Sequence, residues 1–153
     1  MLESPHIVET ELQLSAVISI QCSATEIRNV MGPGIQELMS TLAAEGIPPA
    51  GPWFTSHKRR PTDTFDFEIG VPVGSPVKPL GRVKTGQLPA AKVARAVYQG
   101  PYEGLSAAWS ELEAWITSQG LKPAANLWEC YAVGPETGPN ASKYRTELNR
   151  PLL

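Results

Sequence analysis

The chain contains an internal repeat, and repetition at a fixed spacing narrows the folds available more than composition does. Glu45-Gly46-Ile47-Pro48-Pro49-Ala50 returns as Gln119-Gly120-Leu121-Lys122-Pro123-Ala124, an offset of 74 residues. The same offset carries Ile35, Leu38 and Leu42 onto Trp109, Leu112 and Ile116. Large apolar residues at i, i+3 and i+7 line one face of a helix, so each copy holds an amphipathic helix ended by the shared glycine in a left-handed cap. The spacing predicts helices from about Pro33 to Glu45 and from about Tyr102 to Gln119. Pro33 and Pro101 suit a first helical turn, where a missing N–H forfeits no bond.

Strand-like runs surround each helix. Leu14 to Gln21 and Lys92 to Tyr98 precede the helices, with β-branched residues or strict alternation. Trp53 to Lys58 and Phe65 to Val73 follow the first, and Leu127 to Val133 and Tyr144 to Leu148 follow the second. Thr62-Asp63 and the stretch Pro135 to Ser142 have the composition of hairpin turns. The unit is β-α-β-β, used twice, with halves at about 7–74 and 86–153 of one domain spanning 1–153. Gly74 to Gly81 reads as a surface connection, because neither half can bury its helix face alone. The expected fold is α+β, an antiparallel sheet with two long helices on one face and a ligand groove at the pseudo-twofold axis between them.

At 153 residues a single core can bury roughly two-thirds of the unfolded surface, so no cofactor is needed to hold the fold. Apolar stretches are too short and interrupted to cross a bilayer, and Met1 to His6 lacks the basic and apolar regions of a secretory signal, so a cytoplasmic location is expected. In that compartment Cys22 and Cys130 read as small buried hydrophobes rather than a disulfide. The net charge of −2 gives no general attraction to nucleic acid, and Lys58-Arg59-Arg60-Pro61 reads as a solvated turn. No helices remain over for a helix-turn-helix. His6, placed in a disordered N-terminus, and His57, in a hairpin strand, join no cluster with metal-ligand spacing. No nucleophile elbow, phosphate loop or dinucleotide fingerprint occurs, so neither metal nor nucleotide cofactor is expected. Glu68 and Glu147 hold equivalent places and face outward by alternation, a solvated feature rather than a catalytic pair.

Tyr98-Gln99-Gly100-Pro101-Tyr102-Glu103, the Trp115 helix ending at Gly120, Trp128-Glu129-Cys130-Tyr131 and Tyr144-Arg145-Thr146-Glu147-Leu148, in this order and spacing, resemble the GyrI-like domain over nearly the whole chain. That family has the duplicated SHS2-type fold and includes gyrase inhibitors, stand-alone binders and effector domains of AraC-type and MerR-type multidrug regulators. The chain resembles the stand-alone kind.

In Leu127 to Tyr131 alternation puts Glu129 on the face of Leu127 and Tyr131. Read from the residues alone, Glu129 is either an inward carboxylate, which burial would push to a higher pKa, or a solvated or ion-paired one at a strand edge. The resemblance implies the former, because ligand-binding members carry an acidic residue on this strand and a tyrosine from the last strand, here Tyr144. Tyr131 and Tyr144 would then offer ring faces and hydroxyls to a cation. Trp115 reads as core. Trp109 is either core or ligand wall, Trp53 a rim residue or a strand start, and Trp128 points away from Glu129 and packs elsewhere or lies half exposed. Tyr98 and Tyr102 bracket the turn before the second helix, as ligand contacts or as turn packing.

The leading expectation is binding of lipophilic, cationic small molecules in an aromatic groove around Glu129. The alternative, implied by the resemblance, is hydrolysis of strained cyclopropane-type electrophiles, with Glu129 as general base and Tyr131 or Tyr144 as hydrogen-bond donor. A protein partner such as gyrase would need a distinctive exposed patch, and the sequence shows none.

Overall fold

The computed structural model describes residues 2–133 and 140–153. Residues 11–90 form one compact unit, and residues 1–10 with 91–153 form another. The chain therefore opens with a strand, β1 (His6–Glu9), that belongs with its C-terminal half.

In the unit of residues 11–90, β2 (Gln13–Ser23) leads into helix α1 (Ile27–Glu45), followed by β3 (Phe54–His57), β4 (Thr64–Pro72) and β5 (Lys84–Leu88). All neighbours are antiparallel, in the order β3-β4-β2-β5. Ala16, Ile18 and Ile20 of β2 and Phe67, Ile69 and Val71 of β4 alternate onto one face and bury Leu38 and Leu42 of α1. Each of these Ile, Phe, Val and Leu side chains contributes about 1.5–3 kcal/mol of apolar transfer. The Gly74 to Gly81 connection is pinned to this unit: Lys78 N–H donates to Glu45 Oε1 (2.7 Å), and just beyond it the Arg82 guanidinium grips Glu37.

The other unit contains β1, β6 (Lys92–Gln99), a 3₁₀ turn (Tyr102–Gly104), α2 (Leu105–Ser118), β7 (Leu127–Val133) and β8 (Arg145–Pro151), with antiparallel order β1-β6-β8-β7. Ala94, Ala96, Leu127 and Leu148 meet Ala108, Trp109, Leu112 and Ile116 of α2. Arg150, nearly buried beside this core, is held by Glu113 of α2 (2.6 Å) and the Ala124 carbonyl.

The repeat is visible bond by bond. Gly46 and Gly120 both follow their helices in the left-handed region, at φ 69° and 71°. Ile47 N–H then returns to the Leu42 carbonyl (3.0 Å) and Leu121 N–H to that of Ile116 (3.1 Å), the same cap twice. Beyond the caps, Ala50 N–H bonds Pro72 O and Ala124 N–H bonds Pro151 O, each at 2.8 Å.

Several expectations need correction. Pro33 stands inside α1, which begins at Ile27, rather than in its first turn. The adjacent Gly34 is buried, and a Cβ there would lie 2.7 Å from Ile69 Cδ1, so the helix runs close over β4. The second helix starts as the 3₁₀ turn and becomes α-helical only at Leu105. His6 is not in a disordered tail: it lies in β1, opposite Arg95 of β6. Strand β5 was not expected at all. The predicted hairpin turn at 135–142 lies outside the described residues as far as 139, and Asn140 then caps a 3₁₀ turn, Ala141–Lys143. No helix among the described residues is long and apolar enough to cross a membrane.

Candidate functional site

The α2-facing rows of β7 and β8 determine which groups meet. Antiparallel partners share a face, and Glu129 pairs with Leu148, while Tyr131 pairs with Thr146, which in turn pairs with Tyr98 of β6. Leu148 belongs to the α2 core, so Glu129 faces the helix, as alternation requires.

There Glu129 is buried and bonded through both oxygens. Trp109 Nε1–H donates to Oε2 and the Tyr131 hydroxyl donates to Oε1, each at 2.6 Å. The two bonds hold both carboxylate oxygens in place. Desolvation nonetheless prevails: Glu129 titrates above the ordinary carboxylate range, with the Trp109 and Tyr131 donors opposing the rise without cancelling it. Both donors are neutral, so they orient the carboxylate without supplying a counter-charge.

Above the carboxylate lies a tyrosine cluster. The Tyr102 ring lies 5.2 Å from that of Tyr144, tilted by 38°, and meets Tyr131 edge to face at 5.9 Å. The 3₁₀ turn delivers Tyr102, and Gly100 N–H fixes that turn by donating to the Tyr144 carbonyl (2.9 Å). The pairing of β7 with β8 slips between Tyr131 and Val133, so the regular ladder ends beside the site.

Of the residues singled out from sequence, the structure gathers Glu129, Tyr131, Trp109, Tyr144 and Tyr102 here. Tyr98 lies on the same floor, but its hydroxyl is turned into the loop, donating to the Pro101 carbonyl (2.8 Å). Trp53 is in the unit of residues 11–90, half-buried against that core, and Trp115 is half-buried against the α2 core. Trp128 faces away from Glu129 and is fully buried. Sequence reasoning did not single out Thr146. It lies between Tyr98 and Tyr131, is fully buried, and its Oγ1 has no hydrogen-bond partner among the described residues.

The other unit carries a counterpart at the 74-residue offset. Thr55 stands where Glu129 does and His57 where Tyr131 does, and His57 Nε2 and Thr55 Oγ1 are 3.0 Å apart. His57 is buried, stacked on Phe67 at 5.1 Å, and desolvation lowers its pKa to about 4, so the imidazole is neutral near pH 7. Glu68 and Glu147, equivalent on the opposite sheet faces, engage Lys84 and Arg95. Cys22 and Cys130 are free thiols, and burial pushes Cys130 up to about 12. Among the described residues no three His, Cys, Asp or Glu side chains form a metal-binding group.

The sequence profile of the GyrI-like small molecule binding domain matches residues 4–152. The solved C-terminal domain of EcmrR superposes with a TM-score of 0.87 at 19% identity, over 98% of this chain and 97% of that one. EcmrR in its DNA complex gives a TM-score of 0.86 at 19% identity over 97% of this chain, which spans only 57% of that longer protein. SAV2435 bound to tetraphenylphosphonium gives 0.64 at 12% identity, covering 99% of this chain and 94% of that one. A hydrolase from Listeria innocua gives 0.67 at 12% identity, covering 97% and 91%. At such identities these likenesses establish the fold. No curated protein sequence matches the chain.

Proposed function

Because the chain belongs to the GyrI-like family of small-molecule-binding domains, we propose that its ligands are lipophilic cations held at Glu129. The observation that carries this reading is a buried carboxylate whose two hydrogen-bond partners, Trp109 and Tyr131, are both neutral. An ionised carboxylate in that setting lacks a counter-charge, and a cation with apolar arms supplies one while exchanging its own hydration for aromatic faces. Tyr131, Tyr144 and Tyr102 offer those faces, and Trp109 aims the carboxylate. The relative SAV2435 was solved with such a cation, tetraphenylphosphonium.

Tryptophan fluorescence titration with tetraphenylphosphonium and with neutral triphenylphosphine oxide, in wild type and Glu129→Gln, tests the reading. The substitution is expected to weaken the cation by about 1–3 kcal/mol and to spare the neutral compound. Equal losses for both would remove the counter-charge role.

A second reading rests on the same carboxylate, because a raised pKa suits a general base. In it, Glu129 activates water against a strained electrophile while Tyr131 or Tyr144 donates a hydrogen bond. Turnover separates the two readings, since a binding module returns its ligand unchanged.

A further inference from the structure

The floor of the site contains a second polar group besides Glu129. Thr146 sits in the middle of the row Tyr131–Thr146–Tyr98, flanked on both strands by residues on the α2-facing side. It is diagonal to Glu129, one row away, a separation of roughly 7 Å between such positions. Its side chain is fully buried, and Oγ1 meets no hydrogen-bond partner among the described residues. The tyrosine hydroxyls beside it are committed as donors elsewhere, Tyr131 to Glu129 and Tyr98 to the Pro101 carbonyl. A buried hydroxyl left unmade costs about 1–3 kcal/mol by itself, so its retention calls for a reason.

The repeat sharpens the point. Pro151 and Pro72 accept equivalent bonds from Ala124 and Ala50, which aligns β8 with β4 and sets Thr146 against Phe67. In the unit of residues 11–90 that position is filled by a ring stacked on His57 at 5.1 Å. In the unit that holds Glu129 the ring is replaced by a small side chain with a hydroxyl, beside the charged group rather than away from it.

Resting on the cation-site reading above, we propose that Thr146 sets the chemical class of the cation: a protonated amine whose N–H is shared between the Glu129 carboxylate and the Thr146 hydroxyl, preferred over quaternary ammonium or phosphonium ions that have no N–H. The amine satisfies both groups with one atom. A quaternary ion answers only the charge and leaves Oγ1 unpaired.

Calorimetric titration of wild type, Thr146→Val, Thr146→Ser and Glu129→Gln with diphenhydramine, protonated at neutral pH, and with its N-methyl quaternary salt tests the proposal. Thr146→Val is expected to weaken diphenhydramine roughly three- to tenfold and the quaternary salt less than twofold, while Thr146→Ser, which keeps the hydroxyl, retains the wild-type preference. Equal losses for the two ligands in Thr146→Val, or none, overturn the inference. If Glu129→Gln weakens both cations while Thr146→Val fails to discriminate, only the role of Thr146 falls. If Glu129→Gln changes neither, or wild type binds neither, the cation-site reading falls and this inference with it. Urea unfolding gives a readout without ligand: Thr146→Val should be at least as stable as wild type, and a clear loss would mean the hydroxyl already has a partner and would also overturn the inference.

Discussion

Glu129 and Thr55 occupy the same place in the two copies of the repeat, on the strand after the helix and in the row that faces it. Each is hydrogen-bonded to the residue two positions on, Tyr131 in one copy and His57 in the other. A buried polar pair is thus common to both halves, and only one half makes it ionisable as a carboxylate. The duplication supplies the frame, and a single acidic residue gives one copy of it a buried carboxylate.

Glu129 should make stability fall with rising pH. Its folded-state pKa is raised by burial, so the folded protein holds that proton more tightly than the unfolded chain does. The stabilising contribution is complete below the unfolded carboxylate pKa and is lost as pH rises through the folded value. Urea midpoints from about pH 4 to about pH 8 should decline in wild type relative to Glu129→Gln, which has no charge to bury. A parallel decline in the variant would assign the effect elsewhere. Under the proposed cation binding, proton and cation compete for the same carboxylate, so the affinity for tetraphenylphosphonium should rise with pH across the same window.

His57 acts in the opposite direction. Desolvation lowers its pKa from 6.5 to about 4, so the unfolded chain takes up the proton first as pH falls. Its contribution is present above about pH 6.5 and is lost between there and about pH 4, on the order of 3 kcal/mol. His57→Phe continues the stack with Phe67 and cannot titrate, so its unfolding free energy should be flatter with pH over that interval. An unchanged acid slope would show that His57 is not buried neutral.

The buried helix positions at the repeat offset, Leu38 and Leu112, are both 0% exposed. Leu112→Ala and Leu38→Ala should each cost about 2–5 kcal/mol, through lost transfer energy and the cavity left behind. A loss under about 0.5 kcal/mol at either would place that residue on a surface and misassign the helix face.

Local signals in the sequence carried the repeated core. The glycine caps, the i, i+3, i+7 rows and the period-two strands each depend on neighbours along the chain, and they placed α2's buried face and Glu129's orientation. Strands β5 and β1 were not legible for the converse reason. Lys84-Thr85-Gly86-Gln87-Leu88 has no apolar alternation and becomes a strand only because β2 pairs with it, with Gly86 opposite Ser15 and close against Val17. His6 to Glu9 is short and largely exposed, and its partner β6 lies far along the chain. The same limit applies within the site. Period two turned Glu129 inward, but that Trp109 donates to it depends on the phase of α2 over the sheet, and that Thr146 lies between two tyrosines depends on the register of β6, β8 and β7.

The turn that carries Tyr102 rests on a contact that two substitutions can separate. A Cβ added at Gly104 would collide with the Tyr98 hydroxyl, the same hydroxyl that donates to Pro101 O. Gly104 has φ −87°, an ordinary value for any residue, so the obstacle is this contact and not backbone strain. Gly104→Ala must push the Tyr98 ring aside and break its hydrogen bond, for an expected cost of about 1–3 kcal/mol. Tyr98→Phe removes the nearer of the two obstructing atoms, leaving the ring Cζ at 2.9 Å, at the cost of that hydrogen bond. In the Tyr98→Phe background, Gly104→Ala should therefore be cheaper by roughly 1 kcal/mol or more, a coupling that a double-mutant cycle in urea reads directly. Additive losses would mean that the loop relaxes away from Tyr98 on its own. In that case the position of Tyr102 over Tyr131 and Tyr144 would not depend on the packing beneath it, and the same cycle would leave tetraphenylphosphonium affinity unchanged.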